Sequence, residues 1–187
     1  MRVTRQQAAA NREKVLEVAG TLFRERGFDG IGVADIMERA GLTHGGFYGQ
    51  FASKEELAAE ATARVLGKAG WQERLTGKAN PSFADVVRAY LSPRHRDDPG
   101  TGCLMSAVGS DAARQPRAVR RAFTDGFCAR IDGWLTLVPG RSHAARREKA
   151  LATMASLVGA LILSRAVDDP ALSDEILEAT ATELGRR

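Results

Sequence analysis

Residues 33–51, VADIMERAGLTHGGFYGQF, set apolar side chains at Val33, Ile36 and Ala40, a glycine at 41, and a second apolar group at Leu42, Phe47 and Phe51. The first group falls on one face of a short helix over Val33–Ala40. Gly41 supplies the left-handed backbone that a sharp turn requires without a Cβ clash. Thr43 is placed to cap a third helix running through Phe51, which the second apolar group anchors against its neighbour. The two helices then cross at a steep angle. Gly45 and Gly46 work against a purely structural helix, since each glycine costs about 1 kcal/mol relative to alanine.

Outward from this pair, helical spacing continues in both directions. Upstream, Ala8, Val15, Leu16, Ala19, Leu22 and Phe23 share a face of a helix from about Thr4 to Arg26, which Gly27 ends. Downstream, Ser53 and Glu56 form a capping box for a long fourth helix reaching about Thr76. A break at Gly77–Pro81, a short helix over Ser82–Leu91 and a polar loop over Ser92–Gly102 follow. Further helices are expected near 103–113, 117–138 and 143–167, and a last one near 171–185 after Asp168-Asp169-Pro170. Strict two-residue alternation occurs nowhere, so the fold class is all-α with about nine helices: a head over 1–52 and a larger body over 53–187.

The 187 residues with 44% apolar content suffice for a real core. The run Met154–Leu163 is about half a bilayer span, and MRVTRQQAAANR lacks the apolar region of a signal peptide, so a cytoplasmic protein without a membrane partner is expected. In that compartment Cys103 and Cys128 are expected as free thiols. Twenty-seven Lys and Arg against 23 Asp and Glu leave a formal charge of +4, which favours polyanions without demonstrating that one binds. Residues 114–149 hold nine basic and three acidic side chains, a pattern that a solvated helix face explains as well as a nucleic-acid surface. Enzyme chemistry is not indicated: Cys103, His95 and Asp97 lie close in sequence without a nucleophile signature. The histidines at 44, 95 and 143 lack metal-ligand spacing, so neither metal nor cofactor is expected.

Steeply crossed helices let the second lie in a major groove about 12 Å wide. Its exposed residues, Thr43, His44, Gly45, Tyr48 and Gln50, include no acid to repel phosphate. The stretch 27–57, GFDGIGVADIMERAGLTHGGFYGQFASKEEL, combines Gly27-Phe28, the Ala40-Gly41-Leu42-Thr43 turn, Phe47-Tyr48-x-x-Phe51 and Ser53-Lys54-Glu55. In that order and spacing it resembles the N-terminal DNA-binding domain of the TetR family of transcriptional regulators. The resemblance implies a three-helix head with a helix-turn-helix, a fourth helix joining it to a ligand-binding body, and a homodimer formed through the last two long helices. It further implies that Thr43 and Tyr48 touch phosphate, that His44 and Gly45 face base edges or approach the backbone, and that Lys54 clamps phosphate at a helix N-terminus. Arg5 and Arg12 are weaker phosphate candidates. Where the family usually has hydroxyls before the second helix, Ile31 and Gly32 stand here, leaving Gly32 as a poorer cap.

The implied function is a ligand-responsive repressor that holds a palindromic double-stranded operator as a dimer and is released by a small effector. Leu151, Met154, Val158, Leu161 and Ile162, with Ile176 and Leu177 of the last helix, are the expected dimer interface, although a monomer core would absorb the same residues. Trp71, Tyr90, Cys103, Met105, Phe123, Phe127 and Trp134 lie where the family encloses its effector pocket. Few charges fall among them, so an uncharged or apolar effector is expected. As an alternative, Cys103 opens a helix after the polar loop, a position suited to a thiol-based redox or electrophile-sensing repressor. A helical scaffold that does not bind DNA is the third reading, distinguished by lacking salt-dependent DNA affinity.

Overall fold

A computed structural model describes residues 4–186 as ten α-helices, with no strand among them. Helices α1 (Arg5–Arg26) and α2 (Val33–Arg39), followed by a 3₁₀ turn over His44–Gly46, make the head. Thr4 caps α1 by accepting from the Gln7 N–H at 3.1 Å, and Gly41, at φ +68°, makes the sharp turn that the sequence requires. Behind it, Ile36, Met37, Phe47 and Phe51 are buried against Val15, Ala19 and Phe23 of α1.

The body begins with α3 (Lys54–Leu66), capped as expected by the Ser53 hydroxyl, which accepts from the Glu56 N–H, while the Glu56 carboxylate accepts from the Ala52 N–H. This helix does not continue to Thr76. It stops at Gly67, the chain reverses at Gly70 in the left-handed region (φ +66°), and α4 (Trp71–Thr76) starts anew. Then come α5 (Phe83–Tyr90), α6 (Pro93–Asp97), α7 (Leu104–Ala112, kinked at Val108) and α8 (Arg117–Leu135). The expected loop over 92–102 thus holds one short helix, with Ser92 accepting from the His95 N–H and Pro93 at its first turn. Helices α9 (His143–Ala166) and α10 (Pro170–Gly185) close the chain.

Helix α3 joins head to body, packing on α1 at one side and lying along α8 at the other. The close approach to α8 depends on Gly126, where a side chain would collide with Leu66. Helix α9 is, by length and composition, apolar enough to cross a membrane, which the shorter run Met154–Leu163 did not suggest. One face of it, Ala150, Thr153, Met154, Leu157, Ala160 and Leu161, is instead core of the body against α7, α8 and α10. Arg165 ties it to α6 by donating to the His95 and Arg96 carbonyls at 2.8 and 2.9 Å.

Candidate functional site

The stretch expected as a third α-helix over Thr43–Phe51 is shorter and tighter. After the 3₁₀ turn the chain continues in turns to Gln50, with Phe51 N–H donating to the Phe47 carbonyl at 3.0 Å. Glycines at 45, 46 and 49 explain the shortfall, because each removes helix propensity where few hydrogen bonds compensate. The Thr43 hydroxyl makes no capping bond and stands free to contact a ligand. Thr43, His44, Gly45 and Tyr48 are all exposed, and Tyr48, 68% exposed, lies edge-on to Phe47 at 5.2 Å and to His44 at 6.1 Å. Phe47 itself is fully buried and stacks on Phe51, so a solid core props up the exposed edge.

Of the cationic candidates, Arg5 is exposed at the first residue of α1, and Lys54 is half-buried at the first residue of α3. Arg12, half-buried, pairs with Glu60 at 2.6 Å and lies over the Phe51 ring at 4.6 Å, linking α1 to the turn and to α3. Gln50 is half-buried as well, its side-chain amide donating to the Gly46 carbonyl at 3.3 Å. Gly32 is exposed at the N-cap of α2 and donates its N–H to Asp35 at 3.1 Å, supplying no side-chain cap of its own.

A cavity of about 660 Å³ is lined by residues of α1 and of α3 to α9. Of the residues named as pocket candidates, Trp71, Tyr90 and Cys103 line it. Trp134 forms a second layer, fully buried with its ring 5.5 Å from Trp71. Met105, Phe123 and Phe127 do not reach the cavity: Met105 is buried, and the two phenylalanines pack against the core. Met154, expected at a dimer face, lines the cavity instead. The lining also carries charge. Arg24, Arg64, Lys68, Arg74, Arg94 and Arg130 contribute to the wall, against Glu17 as the single carboxylate. They come from helices far apart in sequence, so no local pattern announces the cluster.

Three of these six cations are already engaged: Arg24 donates to the Gly100 carbonyl at 2.6 Å, Arg64 pairs with Glu13, and Arg74 donates to the Lys68 and Ala69 carbonyls. Arg130 is buried, with its guanidinium over the Trp71 ring at 4.4 Å. Burial pushes its pKa down, and the Tyr90 phenol is pushed well up for the same reason. The Cys103 N–H donates to His95 Nε2 at 2.9 Å, which commits that imidazole to the main chain and not to the thiol. Both cysteines are free, and Cys128, expected on an apolar face, is exposed.

Among the interface candidates, Leu161 and Leu177 are buried within the protomer, as Met154 is, and so offer no surface to a second copy. Leu151 and Ile162 are exposed, while Val158 and Ile176 are half-buried. Leu163 of α9, 56% exposed, and Leu172 of α10, 42% exposed, are further apolar residues at the surface of these two helices.

Residues 15–61 match the family model described as bacterial regulatory proteins, tetR family. A stretch of 63 residues is 39% identical to the HTH-type transcriptional repressor KstR2 of Mycolicibacterium smegmatis, covering 34% of this chain and 31% of that protein. The Rhodococcus jostii KstR2 repressor is 40% identical over 86 residues, 46% of this chain and 37% of its own. The chain thus aligns with about a third of the length of these relatives. Over nearly the whole chain the fold is similar to the TetR-family regulator of Cytophaga hutchinsonii, with a TM-score of 0.75 at 20% identity, covering 99% of this chain and 97% of that one. It is also similar to reduced NemR of Escherichia coli, with a TM-score of 0.72 at 21% identity, covering 94% and 95%.

Proposed function

We propose, from the premise that this chain belongs to the tetR family of bacterial regulatory proteins, that it is a cytoplasmic transcriptional repressor which grips a palindromic operator as a homodimer and loosens when a small molecule fills the cavity. The observation that carries the reading is the edge Thr43, His44, Gly45 and Tyr48, exposed and free of carboxylates over a rigid aromatic floor. Tyr48 and Thr43 offer hydroxyls to phosphate, Gly45 lets a backbone come close, and Lys54 adds a cation at the start of α3. Leu16, Glu17, Thr21 and Arg24 of α1 wall the cavity, so occupancy acts on a helix of the head itself. A coupling of about 1–3 kcal/mol would suffice to shift the balance between gripping and released states.

The test is binding of the full chain to the DNA flanking its own coding region, followed by fluorescence anisotropy over a range of salt. The repressor reading expects steep loss of affinity with added salt as phosphate contacts release counterions, and about a tenfold loss in Tyr48→Ala. Binding that ignores salt, or a Tyr48→Ala variant as tight as the parent, would reject it. Cys103 lines the same cavity, which is the observation favouring the thiol-sensing alternative. Operator affinity that responds identically to a mild oxidant or a quinone in the parent and in Cys103→Ser ends that alternative.

A further inference from the structure

Arg130 is 9% exposed, its Nε has no hydrogen-bond partner, and no carboxylate pairs with it among the described residues. Its stack on Trp71 softens the loss of hydration but cannot replace the hydrogen bonds that a guanidinium fork makes in water. The Tyr90 hydroxyl is buried in the same cavity, near Cys103 and Ser106, without a partner of good geometry. Two buried donors thus line a cavity whose single acid, Glu17, is exposed.

We propose that the cavity binds a monocarboxylate, its acid group held by the Arg130 fork and the Tyr90 hydroxyl, its hydrocarbon or aromatic body against Trp71, Leu75, Leu104 and Met154. A planar carboxylate matches the guanidinium geometry bidentately. Its single negative charge equals the single buried positive one, whereas a doubly charged phosphate would leave excess charge away from water. A volume of about 660 Å³ admits a drug-sized molecule, far more than the acid group alone. The regulatory consequence rests on the repressor reading above; the binding chemistry does not.

Trp71 and Trp134 are the two tryptophans of the chain, and both sit at this site, so intrinsic fluorescence reports occupancy directly. The full chain is titrated to millimolar concentration with 4-phenylbutyrate and decanoate, each against its primary amide, and with inorganic phosphate. The acids are expected to shift the emission, raise the melting temperature and bind at least tenfold tighter than the amides. Arg130→Met should reduce that preference to near one, Arg130→Lys should keep part of it, and Tyr90→Phe should weaken acids more than amides. Amides binding as tightly as acids would overturn the proposal. So would a preference that survives in Arg130→Met, a signal from phosphate alone, or no response to any probe. Should Arg130→Met fail to fold, Tyr90→Phe and the acid-to-amide ratio of the parent decide it. An operator assay run in parallel separates the two readings. Arg130-dependent binding without DNA release retains the acid site and sinks the ligand-released repressor, while release by the amides at concentrations as low as the acids need does the reverse.

Discussion

His95 is 8% exposed and has both ring nitrogens committed to main-chain groups: Nδ1 donates to the Tyr90 carbonyl at 2.7 Å and Nε2 accepts from the Cys103 N–H at 2.9 Å. That geometry requires a neutral imidazole, because a proton on Nε2 would oppose an N–H. Burial accordingly pushes its pKa below the usual 6.5. The unfolded chain then binds more protons than the folded one below that value, so the contribution of His95 is complete above about pH 6.5 and is lost as pH falls toward the depressed folded value. Melting temperature is expected to drop between pH 7.5 and 5 in the parent. A His95→Gln variant should be less stable at neutral pH by about 1–3 kcal/mol and nearly flat over that range. Equal slopes in the two proteins would refute this role. Sequence reasoning placed His95 near Cys103 but read a loop between them. What it lacked was the turn of α6, which swings the ring back onto the start of α7.

At the scale of elements, capping and periodicity made most helices legible, Ser53 with Glu56 and the Asp169-Pro170 start of α10 being the clearest cases. Two elements came out shorter than their patterns, and glycine is the reason in both. Gly67 and Gly70 cut the long fourth helix although the apolar spacing runs on through Trp71 and Leu75, and the glycines at 45, 46 and 49 reduce the expected third helix to a turn. Glycine matters differently in α8. There Gly126 admits the Leu66 side chain where a Cβ would collide, and Gly133 leaves room for the Trp71 indole. Gly126→Ala is therefore expected to force α3 and α8 apart at a cost of about 1–3 kcal/mol, lowering Tm by about 2–4 °C per kcal/mol. Thermal unfolding of that variant checks it, and a Tm unchanged from the parent would show that Leu66 can step aside.

For the molecule as a whole, the large exposed apolar side chains among the described residues, other than Tyr48, are Leu151, Ile162, Leu163 and Leu172, all on the outer face of α9 and α10. Ala152, Ala155, Ser156 and Gly159 lie among them at helical spacing, small enough for another helix to approach closely. Paired with itself across a two-fold axis, this face is expected to hold the homodimer. Ile162→Glu combined with Leu163→Glu should sediment as a monomer and lose operator affinity about 100-fold or more, since two half-sites could no longer be held together. A dimer that persists in that variant would place the interface elsewhere. The sequence was least informative about the cavity. Its basic wall draws Arg24 from α1, Arg64 from α3, Arg74 from α4 and Arg130 from α8, residues that only tertiary packing unites.

That wall also bears on how separable the two halves of the chain are. Because Leu16, Glu17, Thr21 and Arg24 of the first helix line the cavity, and Arg24 is anchored to Gly100 of the loop before α7, grafting this head onto a foreign body would carry away part of the cavity wall. A hybrid of that kind would keep one parent's head and a cavity complete in neither.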